Sequence, residues 1–411
     1  MNALGEEILQ RLDQAAACSE PGAGVTRFSF TAEHRAVGAL IEGWMQRAGL
    51  ETHWDDAGNL VGRLEGEGSD HRTLIFGSHQ DSVRSGGRYD GMLGIVLPLV
   101  CLEALREQGA ALPYPVEVIA FSDEEGGRFT TSLVGSKAVA GGFDAEVLAM
   151  EDADGVSLER ALREFGADPG GIPALARRPE DVRAFVEVHI EQGPVLETAG
   201  QAVGVVTALT GIERHRLMLK GKASHAGTTP MESRRDALVG AAGIVLELDR
   251  VCRETHDCVG VVGELEVVPN VVNVIPAQVR LTLELRSPED AIRVDARKRI
   301  LGEARRIAEA HGLGLDDALV YEQSAVSCAP WLIGELGEAV ADATGERPRE
   351  LFSGAGHDGL AMAGLTDIGM LFVRTPDGLS HHPDEALAAE DAGVAASVVL
   401  SLLRRFAAAC R

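Results

Sequence analysis

Histidines and carboxylates gather in polar, glycine-rich segments that follow predicted buried strands. His79 and Asp81 form a His-x-Asp pair shortly after the apolar run at 73–76, and Asp90 lies nine residues after Asp81 in GGRYDG. An imidazole and carboxylates at this spacing can hold a divalent metal ion. Two simpler interpretations stay open, because the pair also fits a turn and Asp90 also fits the N-cap of the helix that follows.

Two adjacent glutamates, Glu124 and Glu125, follow the next strand-like run, PVEVIAF at 115–121. From one turn their side chains point in different directions, so one carboxylate can bind a metal ion while the other moves protons. The alternative is an acidic surface loop in a protein that has 63 acidic residues. The hydrophobic strand before the pair and the two glycines after it are poor surroundings for solvated charges and favour a site.

The remaining candidate imidazoles lie in two short segments. In AFVEVHIEQ, at 184–192, His189 is on the polar face of an apolar strand, where a structural histidine bonded to a backbone carbonyl is the commoner case. In LSHHPDE, at 379–385, His381 and His382 are adjacent and a proline holds the turn. Two adjacent imidazoles cannot serve one site equally, so the sequence leaves open which of them faces a site.

Together these segments supply nitrogen and oxygen ligands and no thiolate. Such a set suits two borderline divalent ions that share a carboxylate at a separation of about 3.5–4 Å, with an acidic water between them. Zn²⁺ is the expected ion, and Mn²⁺, Co²⁺ and Ni²⁺ are alternatives that the same ligands accept. The candidate ligands are His79, Asp90, Glu125, His189 and one of His381 or His382.

The elements that must position these residues predict an α/β fold. A strand at 73–76, a helix at about 91–108 and a strand at 115–121 alternate as in parallel βαβ units. Ligands of such sheets gather at the carboxyl ends of the strands, where the candidate residues lie. A strand at 368–373 and a helix at about 386–408 continue this pattern near the end of the chain.

The pattern changes after Gly211. Strands predicted at 214–220 and 278–286 alternate polar and apolar residues, as antiparallel strands with one solvated face do. Helices predicted at about 234–255 and 288–311 cover the other face. This organisation is typical of a separate α+β domain of about 115 residues inserted into the larger domain.

Composition excludes several classes of partner. The 38 basic and 63 acidic residues give a net charge of −25, which repels phosphate backbones and anionic membrane surfaces. We therefore expect no nucleic acid and no membrane as partner. From the acidic start we expect no secretory signal, and the longest apolar stretch, at 92–102, is about half as long as a membrane helix. Six cysteines without a CxxC pair indicate reduced thiols in the cytoplasm.

The chain resembles the dinuclear-metal amidohydrolases of the M20 peptidase superfamily in eight strings between residues 77 and 385. The strings are GSHQDSV, GGRYDGMLG, FSDEEGGRF, EVHIEQGPVLE, GKASHAGTTPM, PNVVNVIP, SGAGHDG and LSHHPDE. They are most similar to the branch that holds N-carbamoyl-L-amino acid hydrolases, allantoate amidohydrolases and β-ureidopropionases. The resemblance implies a metallopeptidase-like catalytic domain with a mostly parallel central sheet, residues 1–210 and 328–411, and an inserted lid and dimerisation domain, residues 211–327.

The same resemblance implies a role for each matching residue. The implied metal ligands are His79, Asp90, Glu125, His189 and His381, with Asp90 bridging two ions. Glu124 is the implied general base, Asp81 orients His79, and His225 stabilises the oxyanion. The implied substrate contacts are Gln192 and His357 on the catalytic side and His225, Asn273 and Arg286 on the lid. Arg286 also continues the polar face of its strand, and a guanidinium can grip a substrate carboxylate through two parallel bonds.

We therefore expect a metal-dependent hydrolase of the carbamoyl C–N bond in a small anionic substrate, an N-carbamoyl-L-amino acid in the first place. Hydrolysis of allantoate or N-carbamoyl-β-alanine is the nearest alternative, followed by an N-acyl amino acid deacylase or dipeptidase with the same metal core. A non-catalytic metal-bound scaffold is the alternative of a different class, and it would need neither Glu124 nor His225. The resemblance also implies a homodimer through the lid domains, with His225 and Asn273 reaching the neighbour's site.

Overall fold

The computed structural model describes residues 2–410, and the chain divides into two compact units. Unit 1 is Met1–Thr207 with Cys328–Arg411, and unit 2 is Ala208–Ser327. The helices are α1 (Asn2–Ala16), α2 (Ala32–Arg47), α3 (Met92–Glu107), α4 (Val134–Ala140), α5 (Leu158–Phe165), α6 (Val195–Ala199), α7 (Ala237–Glu254), α8 (Asp290–Ala310), α9 (Pro330–Thr344), α10 (Gly359–Met362) and α11 (Ala389–Ala409). The strands are β1 (Glu51–Trp54), β2 (Leu60–Leu64), β3 (Thr73–His79), β4 (Val116–Phe121), β5 (Val182–Ile190), β6 (Val203–Leu209), β7 (Gly211–Lys220), β8 (Ser224–His225), β9 (Val259–Val261), β10 (Leu265–Val268), β11 (Val274–Ile275), β12 (Gln278–Ser287), β13 (Gly314–Gln323), β14 (Val326–Ser327), β15 (Arg349–Ser353) and β16 (Ile368–Val373).

A mixed sheet with strand order β1-β2-β4-β3-β5-β16-β6 forms the centre of unit 1. Its four central strands, β4, β3, β5 and β16, are parallel, and antiparallel pairs flank them on both sides. His79 lies beside Phe121 and Val373 lies beside Ile190, so the carboxyl ends of these strands meet at one edge. The predicted α/β fold with a mostly parallel central sheet is confirmed.

Helices cover both faces of this sheet. Helix α3 is buried along nearly its whole length because the run LGIVLPLVCL is apolar on every side, and it packs with α1, α2 and α11. Helices α4 and α10 lie on the opposite face. Helix α11 has the length and hydropathy of a membrane span, but 56% of its apolar window is buried inside the structure. Its place in the same core as α3 accounts for its composition.

Strand β3 is longer than its apolar residues predict. The sequence indicates a strand over 73–76, whereas the structure continues it through Gly77 and Ser78 to His79. A Cβ on Gly77 would lie 2.6 Å from the carbonyl oxygen of Ile119 on β4, so the glycine allows the close approach of the two strands. Because glycine has a low strand propensity, the sequence pattern did not predict that β3 continues to His79.

Unit 2 is an antiparallel sheet with two long helices against one face. Its strand order is β10-β12-β7-β13, β9 also pairs with β12, and β8 and β11 form a separate two-stranded sheet. Leucines 217, 219, 281 and 283 alternate toward α7 and α8, while the intervening side chains point away. This agrees with the amphipathic strands and covering helices predicted from the sequence. The role of unit 2 as a lid and dimerisation domain stays a prediction.

Candidate active site

The parallel strands of unit 1 bring four candidate ligands to one edge of the sheet. His79 is the last residue of β3, and His189 is the last but one of β5. Glu125 follows the end of β4 by four residues, and His381 follows the end of β16 by eight. The strand order thus brings residues that are far apart in sequence to the same edge.

Asp90 lies at the centre of these four side chains. Its Oδ1 is 3.4 Å from His79 Nε2 and 3.1 Å from His189 Nε2. Its Oδ2 is 3.2 Å from the Nε2 of His381, which is itself 3.4 Å from Glu125 Oε1. The carboxylate therefore faces two sets of ligands. We call Asp90, Glu125 and His381 the first triad, and His79, Asp90 and His189 the second triad.

The alternative interpretation of Asp90 as a helix N-cap is wrong. Gly91 occupies the N-cap position of α3, with a φ of 67° and no side-chain cap. A Cβ at that position would lie 2.4 Å from the carbonyl oxygen of His79, so only glycine fits between the helix start and β3. This leaves the carboxylate of Asp90 free to face the ligands.

The second triad has the hydrogen-bonding pattern of a cation site. The Nδ1 of His79 lies 3.0 Å from the carbonyl oxygen of Asp81. The Nδ1 of His189 lies 3.0 Å from the carbonyl oxygen of Ile190. Because a carbonyl oxygen can only accept, each Nδ1 carries a proton and the Nε2 of each neutral ring carries a lone pair beside Asp90; that of His189 also accepts the N–H of Gly91 at 3.2 Å. Two imidazole lone pairs and a carboxylate oxygen that converge in this way fit a divalent metal ion.

Without a metal ion, the Asp90 carboxylate could instead be paired with two protonated rings that each carry a proton on Nε2. Burial lowers the pKa of His79, but the hydrogen bond to Asp90 and nearby carboxylates raise it well above its ordinary value, and the pKa of His189 is raised by the same aspartate against its burial. Two charged rings would then lie buried with centroids only 5.8 Å apart, and they would repel each other. A divalent ion held by His79, Asp90 and His189 would take the place of both protons, so the residues present fit the predicted metal.

Glu124 lies beside both triads. Its carboxylate is within 4.8 Å of one ligand from each, His79 and Glu125. Burial raises the pKa of Glu124 well above its ordinary value, and the neighbouring carboxylate of Glu125 adds to the shift. A positive charge at His79 would oppose that shift and favour the ionised form. A carboxylate in this position can take up and return a proton at the site.

Asp81 holds the segment that carries both glutamates. Its Oδ1 accepts the N–H of Glu124 at 3.1 Å, and its Oδ2 accepts the N–H of Glu125 at 3.2 Å. Its contact with His79 is made by the main-chain carbonyl. Asp81 therefore contacts two parts of the site with two different groups. Its main-chain carbonyl bonds the imidazole of His79, and its carboxylate bonds the main chain of Glu124 and Glu125.

The structure places His381, and not His382, against the other ligands. His381 has a φ of 54°, a left-handed conformation that turns the two successive rings to different sides. Asp90 and Glu125 raise the pKa of His381 to about 10. The ring of His382 is exposed, and its Nδ1 accepts the N–H of Asp384 at 3.2 Å. The geometry thus favours His381 as the ligand of the pair.

Gln192 and His357, predicted as substrate contacts, lie next to the ligands. The side-chain amide of Gln192 donates to Asp90 Oδ2 at 3.0 Å, and its buried amide oxygen has no partner among the described residues. A substrate N–H could satisfy that oxygen. The ring of His357 packs edge-on against His189 with centroids 4.4 Å apart, and its Nε2 is 2.8 Å from Ser353 Oγ. Burial lowers the pKa of His357 well below its ordinary value, so its ring is neutral.

Sequence reasoning missed three polar residues that hold the ligand segments in place. The buried carboxylate of Glu187 accepts the hydroxyl of Ser78 at 2.8 Å and the N–H of Gly359 at 3.0 Å. Ser380 and Glu385 both contact the aspartate shared by the two triads. The signals were present in the strings AFVEVHIEQ and LSHHPDE, where these residues flank the predicted ligands on the same strand or loop.

Two predicted substrate contacts lie side by side in unit 2. His225 is in β8 and Asn273 directly precedes β11, and the N–H of Ala226 donates to the carbonyl oxygen of Asn273 at 3.0 Å. Both side chains are exposed. The Nδ1 of His225 accepts the N–H of Gly227 at 3.0 Å, so the neutral ring carries its proton on Nε2. The exposed ring therefore presents an N–H donor.

Arg286 lies near the end of β12 in unit 2. Its guanidinium donates to Glu284 Oε1 at 2.7 Å, and Arg214 donates to the other oxygen of the same carboxylate at 2.9 Å. One carboxylate thus accepts hydrogen bonds from two guanidinium groups at this end of the strand. The roles of Arg286 and the other predicted site residues toward metal and substrate stay predictions.

Comparisons with known proteins agree with this geometry. The sequence profile of the family described as "Peptidase family M20/M25/M40" matches residues 75–405. An N-carbamoyl-L-amino acid amidohydrolase of Geobacillus stearothermophilus is 41% identical over 396 residues, which cover 96% of this chain and 97% of that protein. An allantoate deiminase of Arabidopsis thaliana is 38% identical, with 97% and 82% covered. The crystal structure of a hydantoinase/carbamoylase family amidase from Burkholderia multivorans has a TM-score of 0.91 at 33% identity, with 99% and 98% covered.

Proposed function

Because this chain belongs to peptidase family M20/M25/M40, we propose that it hydrolyses the carbamoyl C–N bond of N-carbamoyl-L-amino acids and releases the amino acid, carbon dioxide and ammonia. The observation that carries the proposal is the carboxylate of Asp90, which faces one triad with each oxygen while Glu124 lies beside both. A hydrolytic centre with two metal ions and one base needs this arrangement. The relative named for this reaction supports the choice of substrate.

We propose two divalent ions per chain at the two triads, Zn²⁺ in the first place, with Mn²⁺, Co²⁺ and Ni²⁺ as alternatives. Three imidazoles, two carboxylates and no thiolate form a donor set that all four ions accept. When bound, such ions supply a water of lowered pKa and positive charge near the substrate carbonyl. Elemental analysis of the purified protein tests their number and kind.

Each proposed site residue has a separate role in hydrolysis of the scissile bond. Glu124 takes a proton from the attacking water and returns it to the departing nitrogen. The Nε2–H of His225 donates to the developing oxyanion. Arg286 binds the substrate carboxylate, whose negative charge needs a local cation in a protein with a net charge of −25. The remaining proposed substrate contacts are Gln192, Asn273 and His357.

An ammonia-release assay tests the proposed substrate class. The metal-reconstituted protein is given N-carbamoyl-L-amino acids, allantoate, N-carbamoyl-β-alanine and N-acetyl-L-amino acids, with loss of substrate measured in parallel. We expect the fastest ammonia release from an N-carbamoyl-L-amino acid. Turnover of the N-acetyl compounds alone would contradict the proposal, and the Glu124→Gln protein is the control for contaminating activity.

Allantoate hydrolysis is the second candidate. It is favoured by the allantoate deiminase of Arabidopsis thaliana, which is 38% identical and matches 97% of this chain. Allantoate also offers a carboxylate and ureido groups, so the same triads and the same arginine can serve it. In the assay above, a kcat/KM for allantoate that exceeds every N-carbamoyl-L-amino acid would make this the function.

We further propose a cytoplasmic homodimer formed through unit 2. Its surface exposes apolar side chains on α7 and on the edge strand β13, among them Val239, Leu246 and Leu319. The six cysteines are free thiols, which suits the cytoplasm. Sedimentation measures the oligomeric state. If His225 acts on the neighbouring subunit, mixing inactive His225→Ala and Glu124→Gln proteins restores activity, whereas action within one chain restores none.

A further inference from the structure

We propose that Glu385 is a positioning residue for the first triad, because it fixes Asp90 and the loop of His381 to each other. This proposal rests on the proposed metal-dependent function, since it adds a residue to that site. Glu385 is only 4% exposed and ends the segment 380–385, which follows β16. Neither the predicted ligands nor the predicted substrate contacts include it.

One oxygen of Glu385 holds the main chain of Asp90. Its Oε1 accepts the N–H of Tyr89 at 2.8 Å and the N–H of Asp90 at 3.2 Å. These groups lie directly before α3, a helix of 16 residues whose N-terminus attracts negative charge. A Cβ on Gly87 would lie 2.0 Å from the carboxyl carbon of Glu385, so the backbone closes around this carboxylate. Glu385 therefore holds the main chain before α3, whereas Asp90 Oδ1 also lies against the buried rings of His79 and His189, which do not contact Glu385.

The other oxygen of Glu385 holds the loop of His381. Its Oε2 accepts the hydroxyl of Ser380 at 3.1 Å, and that hydroxyl is also 3.1 Å from Asp90 Oδ2. The N–H of Glu385 donates to the carbonyl oxygen of His382 at 3.1 Å and closes the turn. The loop is thus tied to Glu385 on both sides of His381, and it is tied through Ser380 to the oxygen of Asp90 that faces the first triad.

The two triads differ in how much they need this support. His79 and His189 lie in buried strands, and the Nδ1 of each ring bonds a main-chain carbonyl. No such bond is present at His381 among residues 2–410, and its side chain is 49% exposed on a loop with a φ of 54°. Loss of Glu385 should therefore weaken the first triad and leave the second largely intact.

Equilibrium metal binding tests this role without reference to activity. Metal-free parent and Glu385→Gln proteins are titrated with Co²⁺, by calorimetry and by the visible absorption of the bound ion. We expect the parent to bind two ions, and the variant to bind one with parental affinity and the other about 10–100-fold more weakly, the usual cost of removing a partner behind a metal ligand. The step that weakens should be the step that His381→Ala abolishes.

Asp236→Asn is the matched control. Asp236 also accepts two main-chain N–H groups, at the start of α7 in unit 2, so its loss perturbs a helix start of the same kind without touching a ligand. It should bind both ions as the parent does. If Glu385→Gln does not fold, Ser380→Ala takes its place, because it removes the hydroxyl between the two carboxylates, which also accepts the amide of Gln192 at 3.1 Å, and should weaken the same step of metal binding.

Each remaining outcome counts against the proposal. Parental affinity at both steps in the folded variant would overturn it. Equal weakening of both steps with a lowered unfolding temperature would show a purely structural role and would also overturn it. Failure of the proposed function would be seen in the parent itself, which would bind fewer than two ions or release no ammonia from any carbamoyl substrate.

Discussion

The carboxylate of Asp81 offers a quantitative test of how the glutamate loop is held. Asp81 is 1% exposed, and its two oxygens accept the N–H groups of Glu124 and Glu125 at 3.1 and 3.2 Å. In Asp81→Asn one acceptor remains, and the other becomes an NH₂ group that faces an N–H. One hydrogen bond to a charged acceptor is lost, which corresponds to about 1.5–3 kcal/mol. Relief of the buried charge offsets part of this, so we expect a loss at the lower end.

The effect on catalysis should be larger than the effect on folding. The loop that loses its bond carries the proposed base, and a displacement of a catalytic group by about 1 Å can cost about 10²-fold in rate. The carbonyl of Asp81 that orients His79 is unchanged by the substitution, so the second triad should still bind its ion. We therefore expect kcat to fall about 10²-fold while one ion remains tightly bound.

Fluorescence of the metal-free protein in urea measures the stability change in the correct unit, because the three tryptophans, at 44, 54 and 331, all lie in unit 1. Asp123→Asn is the matched control. Asp123 is equally buried in the same loop but accepts no main-chain N–H, and burial raises its pKa well above the ordinary value although the Ser29 hydroxyl and Arg128 act to lower it. Its substitution should leave stability unchanged or raise it. Equal stability and equal kcat for Asp81→Asn and the parent would refute the reasoning.

Four further predictions follow from the site. Glu124→Gln should keep both metal ions by elemental analysis and lose about 10²–10⁴ in kcat, whereas Glu125→Gln should lose metal; a nearly active Glu124→Gln would require another base. His381→Ala should lose metal in the same analysis and His382→Ala should retain it, and the reverse result would move the ligand by one position. Arg286→Lys should raise KM far more than it lowers kcat in steady-state kinetics, because the two-bond grip acts on ground and transition states alike, and an unchanged KM would remove it from the site. Removal of metal by a chelator should lower the unfolding temperature, since each ion at 100 times its Kd adds about 2.7 kcal/mol to the folded state.

The arrangement of ligands could be predicted from the sequence because strand order does most of the work. Once 73–76, 115–121 and 184–192 are recognised as neighbouring parallel strands, the residues at their carboxyl ends must meet. The choice between His381 and His382 could not be made from the residues, since it depends on a left-handed φ at the first of them. Alternation along the strands of unit 2 likewise predicted which face is buried.

What the sequence could not show is how the ligand segments are held. Asp81 and Glu385 act mainly through hydrogen bonds from main-chain N–H groups, and Glu187 accepts one main-chain N–H and one serine hydroxyl. A main-chain donor has no residue type that a pattern could reveal. Each lies two to four residues from a predicted ligand, so the sequence marked the neighbourhood without showing the contact. The exact end of β3 was hidden for a related reason, because Gly77 is selected by the close approach of β4 and not by strand propensity.

Two of the loop segments that carry predicted site residues are held by the same kind of hydrogen bonding. Glu124 and Glu125 are held by Asp81, and the main chain of Asp90 is held by Glu385, in each case through two main-chain N–H groups on one buried carboxylate. Ligands that stay in a strand need only a carbonyl for their ring. The N–H groups offset only part of the desolvation of these carboxylates, since burial still raises the pKa of Glu385 to about 7 and that of Asp81 above its ordinary value. The acidic residues around the triads therefore divide into those that face the proposed metal ions and those that hold the backbone.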